Sequence, residues 1–389
     1  MKIAVLGDAH IGASHGLGKK NKDGTNTRSE DYKATLDWVS DYCLKENIDV
    51  LIQTGDLFEH RNPSRHDMDI AEDFLKKMSA YGITTQVIMG NHDYKKSGIS
   101  YTSSLQNLSI DGHPEVSIYI KPDVVHFINS LGERVNMVLM PFRDKRFYSG
   151  KSLPEKTYEY NQEILRLIKS CNRKYPTIFV GHNFIYEGSY NDFGATEVFA
   201  MRDTFHGIDA AFMGHYHTSK KFSDSPGKRV FYTGSMEKNN FGDRNNEKFL
   251  FIYDTKRDEV KKEKMPVRGL IEVNIDLSSC DMESIYSELN AKIEGFDFKE
   301  KISRISIKIR EAHSALLHKD KISAKLERRG SHFVSRVIID SVQDPLIRDL
   351  SPLKEEGDLN IFSKYLKMQE LDEETMLRLT KKAKQLMEI

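Results

Sequence analysis

Five short segments of this chain run from an apolar, strand-like stretch through a glycine into metal-binding side chains. They are Gly7-Asp8-Ala9-His10, Gly55-Asp56, Gly90-Asn91-His92-Asp93, Gly181-His182-Asn183 and Gly214-His215-Tyr216-His217. Apolar runs of this length are typical of buried parallel strands, and ligands of open α/β sheets bind beyond the carboxyl ends of such strands. We therefore expect Asp, His and Asn side chains from five points of the chain to meet at one edge of one sheet and to form a metal site.

The chemistry of these donors narrows the choice of metal. Oxygen and imidazole donors without thiolate suit Mn²⁺, Fe²⁺ or Zn²⁺ better than Ca²⁺ or a structural zinc ion. One ion with an open position cannot use all the candidate ligands, whereas two ions that share a carboxylate can. The candidates are Asp8, His10, Asp56, Asn91, His182, His215 and His217. Asp56 is the expected bridging ligand because a carboxylate can divide its two oxygens between two cations.

Taken in order, the motifs resemble the calcineurin-like metallophosphoesterases and, within them, the SbcD (Mre-eleven) nucleases of the double-strand-break repair complex. Three details are similar to the nucleases in particular. They are Asp8-Ala9-His10-Ile11-Gly12 with its trailing glycine, Gly55-Asp56-Leu57-Phe58 followed by Asn62-Pro63-Ser64, and Tyr232-Thr233-Gly234-Ser235-Met236-Glu237. The motifs cover roughly residues 1–255, and the ordered set is specific where a single Gly-Asp or Gly-His pair is not.

The resemblance implies how the ligands divide between two ions. One ion would be held by Asp8, His10, Asp56 and His217. The other would be held by Asp56, Asn91, His182 and His215. His92 is similar to the catalytic histidine of the family, which acts at the scissile phosphate, and Asp93 is expected to fix the tautomer of its ring. The alternative for His92 is a residue that only packs beside the ligands.

The activity that the resemblance implies is that of a Mn²⁺-dependent DNA nuclease, with Mg²⁺ or another divalent ion as the alternative metal. It would hydrolyse phosphodiester bonds at double-strand DNA ends as an exonuclease and would also cut single-stranded DNA as an endonuclease. It would work as a homodimer with an SbcC-like SMC-type ATPase. Two other functions stay open: a generic phosphatase of proteins or small esters, and a non-catalytic tether of DNA ends. Against the phosphatase, Asp93-Tyr94-Lys95 stands where those enzymes carry Glu and a nearby arginine.

The composition indicates where DNA could bind and in which compartment the protein works. Lys+Arg and Asp+Glu are each 58, so DNA binding requires local basic patches rather than overall basicity. Lys19, Lys20 and Arg143 are the candidate DNA contacts, although each also fits a merely solvated face. Three scattered cysteines, no signal peptide and no apolar stretch near the ~20 residues that span a bilayer predict a cytoplasmic protein.

The alternation of strands and helices predicts an α/β layered domain, followed by a small α+β module and C-terminal amphipathic helices. The resemblance implies that the first part is a metallophosphoesterase sandwich and that the module caps it. Within the sandwich, helical spacing of apolar residues predicts helices over residues 32–46, 67–78 and 158–170. The expected domains are the nuclease (1–265), a DNA-binding cap (266–345) and partner-docking helices (346–389). The cap also fits a purely structural role. The residues expected to dock the ATPase are Ile361, Phe362, Tyr365, Leu366, Met376 and Leu379. The alternative is that these helices fold back onto the cap.

Overall fold

The glycine-terminated apolar runs form strands, and helices alternate with them along the chain. The computed structural model describes residues 1–97, 100–186, 196–222, 229–342 and 373–387. The first elements are β1 (Lys2–Leu6), α1 (Arg28–Lys45), β2 (Val50–Gln53), α2 (Arg65–Ala80), β3 (Thr84–Ile88), β4 (Tyr94–Ser97), β5 (Ser100–Ser103) and β6 (Val116–Tyr119). Strands β1, β2 and β3 end immediately before the first three metal-binding motifs.

The next part of the chain supplies the other two motifs. Its elements are β7 (Asp123–Ile128), β8 (Arg134–Met140), α3 (Leu153–Ser170), β9 (Thr177–Gly181), β10 (Ile185–Tyr186), β11 (Ala200–Met201), β12 (Ala210–Met213), β13 (Lys220–Phe222), β14 (Val230–Tyr232), β15 (Phe249–Asp254) and β16 (Glu259–Lys264). Strands β9 and β12 lead directly into the histidine motifs. The elements up to β16 belong to one compact unit, Met1–Ile271 with Glu300–Ile302.

Two six-stranded sheets form this unit, and the motifs are divided between them. The first sheet has the order β16-β15-β1-β2-β3-β6, and the second has the order β13-β14-β12-β9-β8-β7. Strands β1, β2, β3 and β6 are parallel, as are β8, β9, β12 and β14. The expectation of a single sheet was therefore wrong. Strand β6 occupies the edge beside β3, and the antiparallel hairpin β7–β8 begins a separate sheet that β9 and β12 join.

The two sheets pack face to face, and helices cover their outer faces. Alternate residues of the central strands, such as Ile3 and Val5 of β1, share a buried cluster with Ile178 of β9 and Phe212 of β12. The opposite face of the first sheet packs against α1 and α2, and that of the second packs against α3. Burial of both faces explains why the strands are continuously apolar. The predicted layered α/β sandwich is confirmed.

Helices α2 and α3 begin earlier than their apolar periodicity predicts, because capping residues rather than core residues determine where they start. Helix α2 begins after Ser64, whose side chain accepts from Asp67 N while the Asp67 carboxylate accepts from Ser64 N. Helix α3 begins after Ser152, which accepts a hydrogen bond from Glu155 N. The first turns are polar and exposed, so the periodicity alone does not reveal them.

A second compact unit contains Glu272–Lys299 and the described residues from Ser303 onwards. The chain enters it along β17 (Leu270–Asp276), followed by α4 (Ile285–Glu294), β18 (Ile302–Arg310), α5 (Glu311–Ser314), α6 (Lys319–Arg328), β19 (Phe333–Val342) and α7 (Glu373–Met387). Strand β18 lies between β17 and β19 in a three-stranded sheet. Ile285, Leu289 and Ile293 form the buried face of α4. The unit has the mixed helix and strand content that the sequence predicts.

Some expectations fall on parts of the chain that the structure does not describe. Ile361, Phe362, Tyr365 and Leu366 lie outside the described residues, whereas Met376 and Leu379 lie on α7 and are half-buried. Cys43, Cys171 and Cys280 are free thiols. None of the described helices is long and apolar enough to cross a membrane.

Candidate metal centre

The ends of β1 and β2 are joined by backbone hydrogen bonds that bring the first two motifs together. Ala9 N and His10 N both donate to the Asp56 carbonyl, at 3.0 and 2.9 Å. Three expected ligands, His10, Asp56 and His215, have positive φ angles of 51°, 53° and 78°. Such left-handed backbone costs about 1–3 kcal/mol per non-glycine residue and concentrates at functional sites. The surrounding packing therefore holds these ligands in a conformation that an isolated turn would avoid.

Two of the motif glycines are required because other ligands approach their backbone closely. A Cβ atom at Gly90 would lie 2.1 Å from both the Asp56 amide nitrogen and its Oδ1 atom. A Cβ atom at Gly214 would lie 2.4 Å from Asp8 Oδ1. No larger residue fits at either position without moving a carboxylate, so these glycines let the strands deliver their ligands to one small volume.

His182 is held so that its second nitrogen faces oxygen atoms. Its Nδ1 donates to the Thr54 carbonyl at 2.7 Å. Its Nε2 lies 2.9 Å from Asn91 Oδ1 and 3.2 Å from Asp56 Oδ2. Burial alone would lower the pKa of His182, but the carboxylates of Asp56 and Asp8 outweigh it and raise that pKa to about 10. The Nε2 position therefore demands positive charge, from a proton or from a cation.

A second group of donors surrounds His10. Its Nε2 lies 2.9 Å from His217 Nε2 and 3.7 Å from Asp56 Oδ2, and the same His217 nitrogen lies 3.9 Å from Asp8 Oδ2. At 2.9 Å the two nitrogens can share one proton in an N–H···N hydrogen bond, or both can present a lone pair to one cation.

These donors form two adjacent groups that fit divalent cations. One group consists of Asp8, His10 and His217, and the other consists of Asp56, His182 and His215. Within each group the ligand atoms lie within 4.8 Å of one another. Asp56 Oδ2 approaches both groups, at 3.7 Å from His10 and 3.2 Å from His182. Asn91 Oδ1 lies 2.8 Å from His215 Nδ1, so the amide joins the second group. The donor set, oxygen and imidazole without thiolate, suits a divalent metal pair.

His92 lies beside both groups and remains partly accessible to solvent. Its backbone N–H donates to Asp56 Oδ1 at 2.7 Å, and its Nδ1 donates to the Glu59 carbonyl at 2.7 Å. Its ring makes an edge contact with His10, with centroids 4.9 Å apart, and its side chain is 36% exposed. With Nδ1 engaged, Nε2 is the nitrogen that remains for exchange of a proton with a substrate.

The expectation that Asp93 orients the ring of His92 was wrong. The Asp93 carboxylate is fully buried and accepts hydrogen bonds from the backbone N–H groups of Leu57, Phe58 and Gly90, at 3.2, 3.1 and 2.9 Å. Burial and the nearby negative charge of Asp56 raise the pKa of Asp93 to about 6. Asp93 thus joins the loop after β2 to the loop after β3. The tautomer of the His92 ring is fixed by the Glu59 carbonyl instead of by Asp93.

Two carboxylates of the site were missed from the sequence. Glu59 Oε2 lies 2.8 Å from His10 Nδ1, and Glu197 Oε2 lies 3.4 Å from His215 Nε2, in each case behind the nitrogen that faces the metal site. Carboxylates in this position orient metal-binding imidazoles and raise their basicity. Glu59 directly follows the Gly-Asp-Leu-Phe segment, so its position beside a metal motif could have identified it. No local sequence pattern identifies Glu197.

The three candidate DNA contacts differ in their surroundings. Lys19 and Lys20 are exposed on the loop after β1, which is closed by reciprocal hydrogen bonds between Lys19 and Thr27. Arg143 is instead 12% exposed, stacks over Phe147 at 4.4 Å and lies 3.6 Å from the Glu163 carboxylate. Arg143 thus packs on Phe147 and donates to Tyr148 Oη, and its contact with DNA stays a prediction.

Comparison with known proteins identifies similarity over the part of the chain that builds this site. The calcineurin-like phosphoesterase family model matches residues 1–219. The chain is 23% identical to exonuclease subunit 1 of Enterobacteria phage T4 over 76% of its own length and 80% of the phage protein. It is 22% identical to a subunit of the nuclease SbcCD of Staphylococcus epidermidis, over 79% of its own length and 80% of that protein.

An archaeal relative is similar over a smaller share of both chains. The DNA double-strand break repair protein Mre11 of Sulfurisphaera tokodaii is 26% identical over 59% of this chain. The match spans only 53% of the archaeal protein, about half of its length.

Proposed function

The chain belongs to the calcineurin-like phosphoesterase family, and we propose that it is a Mn²⁺-dependent DNA nuclease that acts at double-strand ends and on single strands. The observation that carries this proposal is the pair of adjacent donor groups around Asp56, with the partly exposed His92 beside them. The names of the phage and staphylococcal relatives favour a nuclease over other phosphoesterases, and the name of the archaeal relative favours a role in DNA double-strand break repair.

The residues of the chain divide the chemistry as follows. The ligands would hold two divalent cations, which when bound supply Lewis acidity at the phosphate and activate water for attack on phosphorus. Asp56 would touch both ions. His92, fixed through Nδ1 by the Glu59 carbonyl, would carry a proton on Nε2 and donate it to the leaving oxygen or stabilise charge on the phosphate.

We further propose that the protein acts as a homodimer with an SbcC-like SMC-type ATPase in the cytoplasm. In this proposal, residues 266–345 guide DNA and residues 346–389 dock the ATPase. Met376→Asp and Leu379→Asp should then weaken co-purification of the ATPase without changing the metal content. Unchanged co-purification would count against docking through α7.

The experiment that tests the nuclease uses purified protein and end-labelled linear duplex DNA with Mn²⁺, Mg²⁺ or EDTA. We expect Mn²⁺-dependent shortening that disappears in EDTA and in Asp8→Asn. His92→Ala should keep both metals and DNA binding but lose cleavage. Retained cleavage in His92→Ala would contradict the catalytic role. Turnover of an aryl phosphomonoester without DNA cleavage would instead indicate a phosphatase, and DNA binding without any hydrolysis would indicate a tether.

A further inference from the structure

A cavity of about 450 Å³ extends from the metal centre along the segment that follows Phe58. Its lining residues are Glu59, His60, Arg61, Asn62, Asn91 and His92. Because Asn91 is an expected metal ligand and His92 is the expected catalytic residue, anything bound in this cavity would lie next to the reacting phosphate. His60, Arg61 and Asn62 are not among the expected metal ligands or catalytic residues.

The wall of this cavity is held in place at both ends. Glu59 N donates to the Ile11 carbonyl at 3.0 Å, and the Glu59 carbonyl accepts from His92 Nδ1 at 2.7 Å. Further along, Lys95 Nζ donates to Asn62 Oδ1 at 2.9 Å, and the capping box at Ser64 begins α2. The wall is therefore a preorganised surface, which reduces the entropic cost of binding.

The charge of the wall favours an anion. Within the described ranges, Arg61 is exposed and makes no hydrogen bond or ion pair, in contrast to Arg65, which lies 2.6 Å from Asp69 and 3.1 Å from Glu72. The Glu59 carboxylate already lies against ring nitrogens, at 2.8 Å from His10 and 3.3 Å from His15. The guanidinium of Arg61 is thus the charged group of this wall that has no hydrogen bond or ion pair among the described residues.

We propose that this cavity binds the phosphate that neighbours the scissile phosphate on the cleaved strand, with Arg61 as its principal ligand. The proposal rests on the proposed nuclease function and names the part of the substrate that distinguishes a nucleic acid from a small ester. A guanidinium can donate two parallel hydrogen bonds to phosphate oxygens. His60 and Asn62 offer further polar groups on the same wall. A small diester has no second phosphate, so it cannot use this subsite.

The test compares Arg61→Ala and Arg61→Lys with wild-type protein on two substrates, a single-stranded oligonucleotide and bis(p-nitrophenyl) phosphate, in Mn²⁺. Binding of the labelled oligonucleotide is also measured in EDTA by fluorescence anisotropy. In Arg61→Ala we expect the ratio of kcat/KM for the oligonucleotide to that for the small diester to fall about tenfold, mainly through KM. The salt dependence of binding should lose a slope of about 0.7, the contribution of one phosphate of a single strand. Arg61→Lys should recover part of both losses.

The matched control is Arg65→Ala, which removes an exposed arginine of the same region that already has carboxylate partners. It should leave the ratio and the slope unchanged. An unchanged ratio and slope in Arg61→Ala would overturn the subsite. If wild-type protein fails to cleave DNA but binds the oligonucleotide in an Arg61-dependent way, the nuclease proposal fails, and the cavity stands only as a phosphate-binding site that has no scissile neighbour. Binding that is absent, or independent of Arg61, overturns the subsite.

Discussion

The two sheets contribute different donor chemistry to the same centre. The first sheet supplies the oxygen ligands Asp8, Asp56 and Asn91 together with His10, whereas the second supplies only imidazoles, from His182, His215 and His217. Backbone N–H groups fix both carboxylates, through bonds from His215 N to Asp8 Oδ2 at 2.8 Å and from His92 N to Asp56 Oδ1 at 2.7 Å. The imidazoles are fixed from behind by acceptors such as the Thr54 carbonyl. Neither sheet alone forms the metal centre, so metal binding and packing of the sandwich must be coupled.

The largest effect should come from Asp56→Asn, because Asp56 contacts donors from both sheets. An amide has no negative charge and a weaker donor oxygen, so the attraction of this side chain for both cations falls. We expect hydrolysis to fall by about 10²–10³-fold, equivalent to roughly 3–4 kcal/mol of the activation barrier. At about 100 times its Kd, Mn²⁺ should stabilise the wild type by about 2.7 kcal/mol, and the variant should lose most of this.

Differential scanning fluorimetry with and without Mn²⁺, together with metal analysis, measures the coupling. The control is Asp203→Asn, which changes a carboxylate that is 87% exposed and distant from the motifs in sequence. If Mn²⁺ stabilised the wild type and Asp56→Asn equally, metal binding would not depend on Asp56. The proposed coupling between metal binding and the packing of the two sheets would then be wrong.

The next effect, on metal affinity, can be measured for each sheet by itself, because one histidine of each sheet has a carboxylate behind its ring. Glu59→Ala removes the partner of His10 in the first sheet, and Glu197→Ala removes the partner of His215 in the second. Loss of such a partner typically costs 10–100-fold in metal affinity. We expect the larger loss for Glu59, which lies at 2.8 Å and is 11% exposed, than for Glu197, at 3.4 Å and 34% exposed. Isothermal titration with Mn²⁺ measures both.

Two further variants check this interpretation. Glu59→Gln should recover part of the affinity, because its amide oxygen can still accept from His10 Nδ1. His15→Ala removes only the exposed partner of Glu59 and should change Mn²⁺ affinity little. A His15→Ala loss as large as that of Glu59→Ala would show that the loop after β1, rather than the carboxylate, determines the affinity.

A smaller effect on catalysis but a clear effect on stability is expected for Lys248→Met. Lys248 directly precedes β15 of the first sheet, and its Nζ donates to the His217 carbonyl at 3.1 Å and to Ser235 Oγ at 2.7 Å. Asp243 lies 3.6 Å from the same Nζ. Removing a buried cation leaves these acceptors unpaired, so we expect about 3 kcal/mol of destabilisation, measured as a lowered Tm.

The control for Lys248 is Lys264→Met, since Lys264 is 64% exposed and pairs with Glu247 at the surface. Its loss should cost at most about 1 kcal/mol. If the two variants lowered the Tm equally, the bonds from Lys248 to the His217 carbonyl and to Ser235 would not stabilise the packing of the two sheets.

The sequence predicted the positions of the strands and the candidate ligands. It predicted less well which strands pair and which groups the side chains beside the motifs contact. Glycine-terminated apolar runs locate β1, β2, β3, β9 and β12, because a strand buried on both faces must be continuously apolar. The same runs do not say which strand pairs with which, so the division into two sheets was not foreseen. Asp93 was misassigned because a carboxylate beside a motif has the same sequence signature whether it faces a histidine ring or backbone amides.

The smallest effect should come from Lys19→Ala/Lys20→Ala, on the exposed loop that follows the first metal motif. If both lysines contact phosphates of duplex DNA, the slope of log K against log salt should fall by about 1.8, which is 0.9 for each contact. Affinity should fall only several-fold at moderate salt, because the metal centre and Arg61 would still bind the strand. The matched control is Lys169→Ala/Lys174→Ala, two exposed lysines beside the opposite, amino-terminal end of β9. If the control pair changed the slope as much, DNA would be attracted by general surface charge, and the metal-bearing edge of the sandwich would have no preference for it.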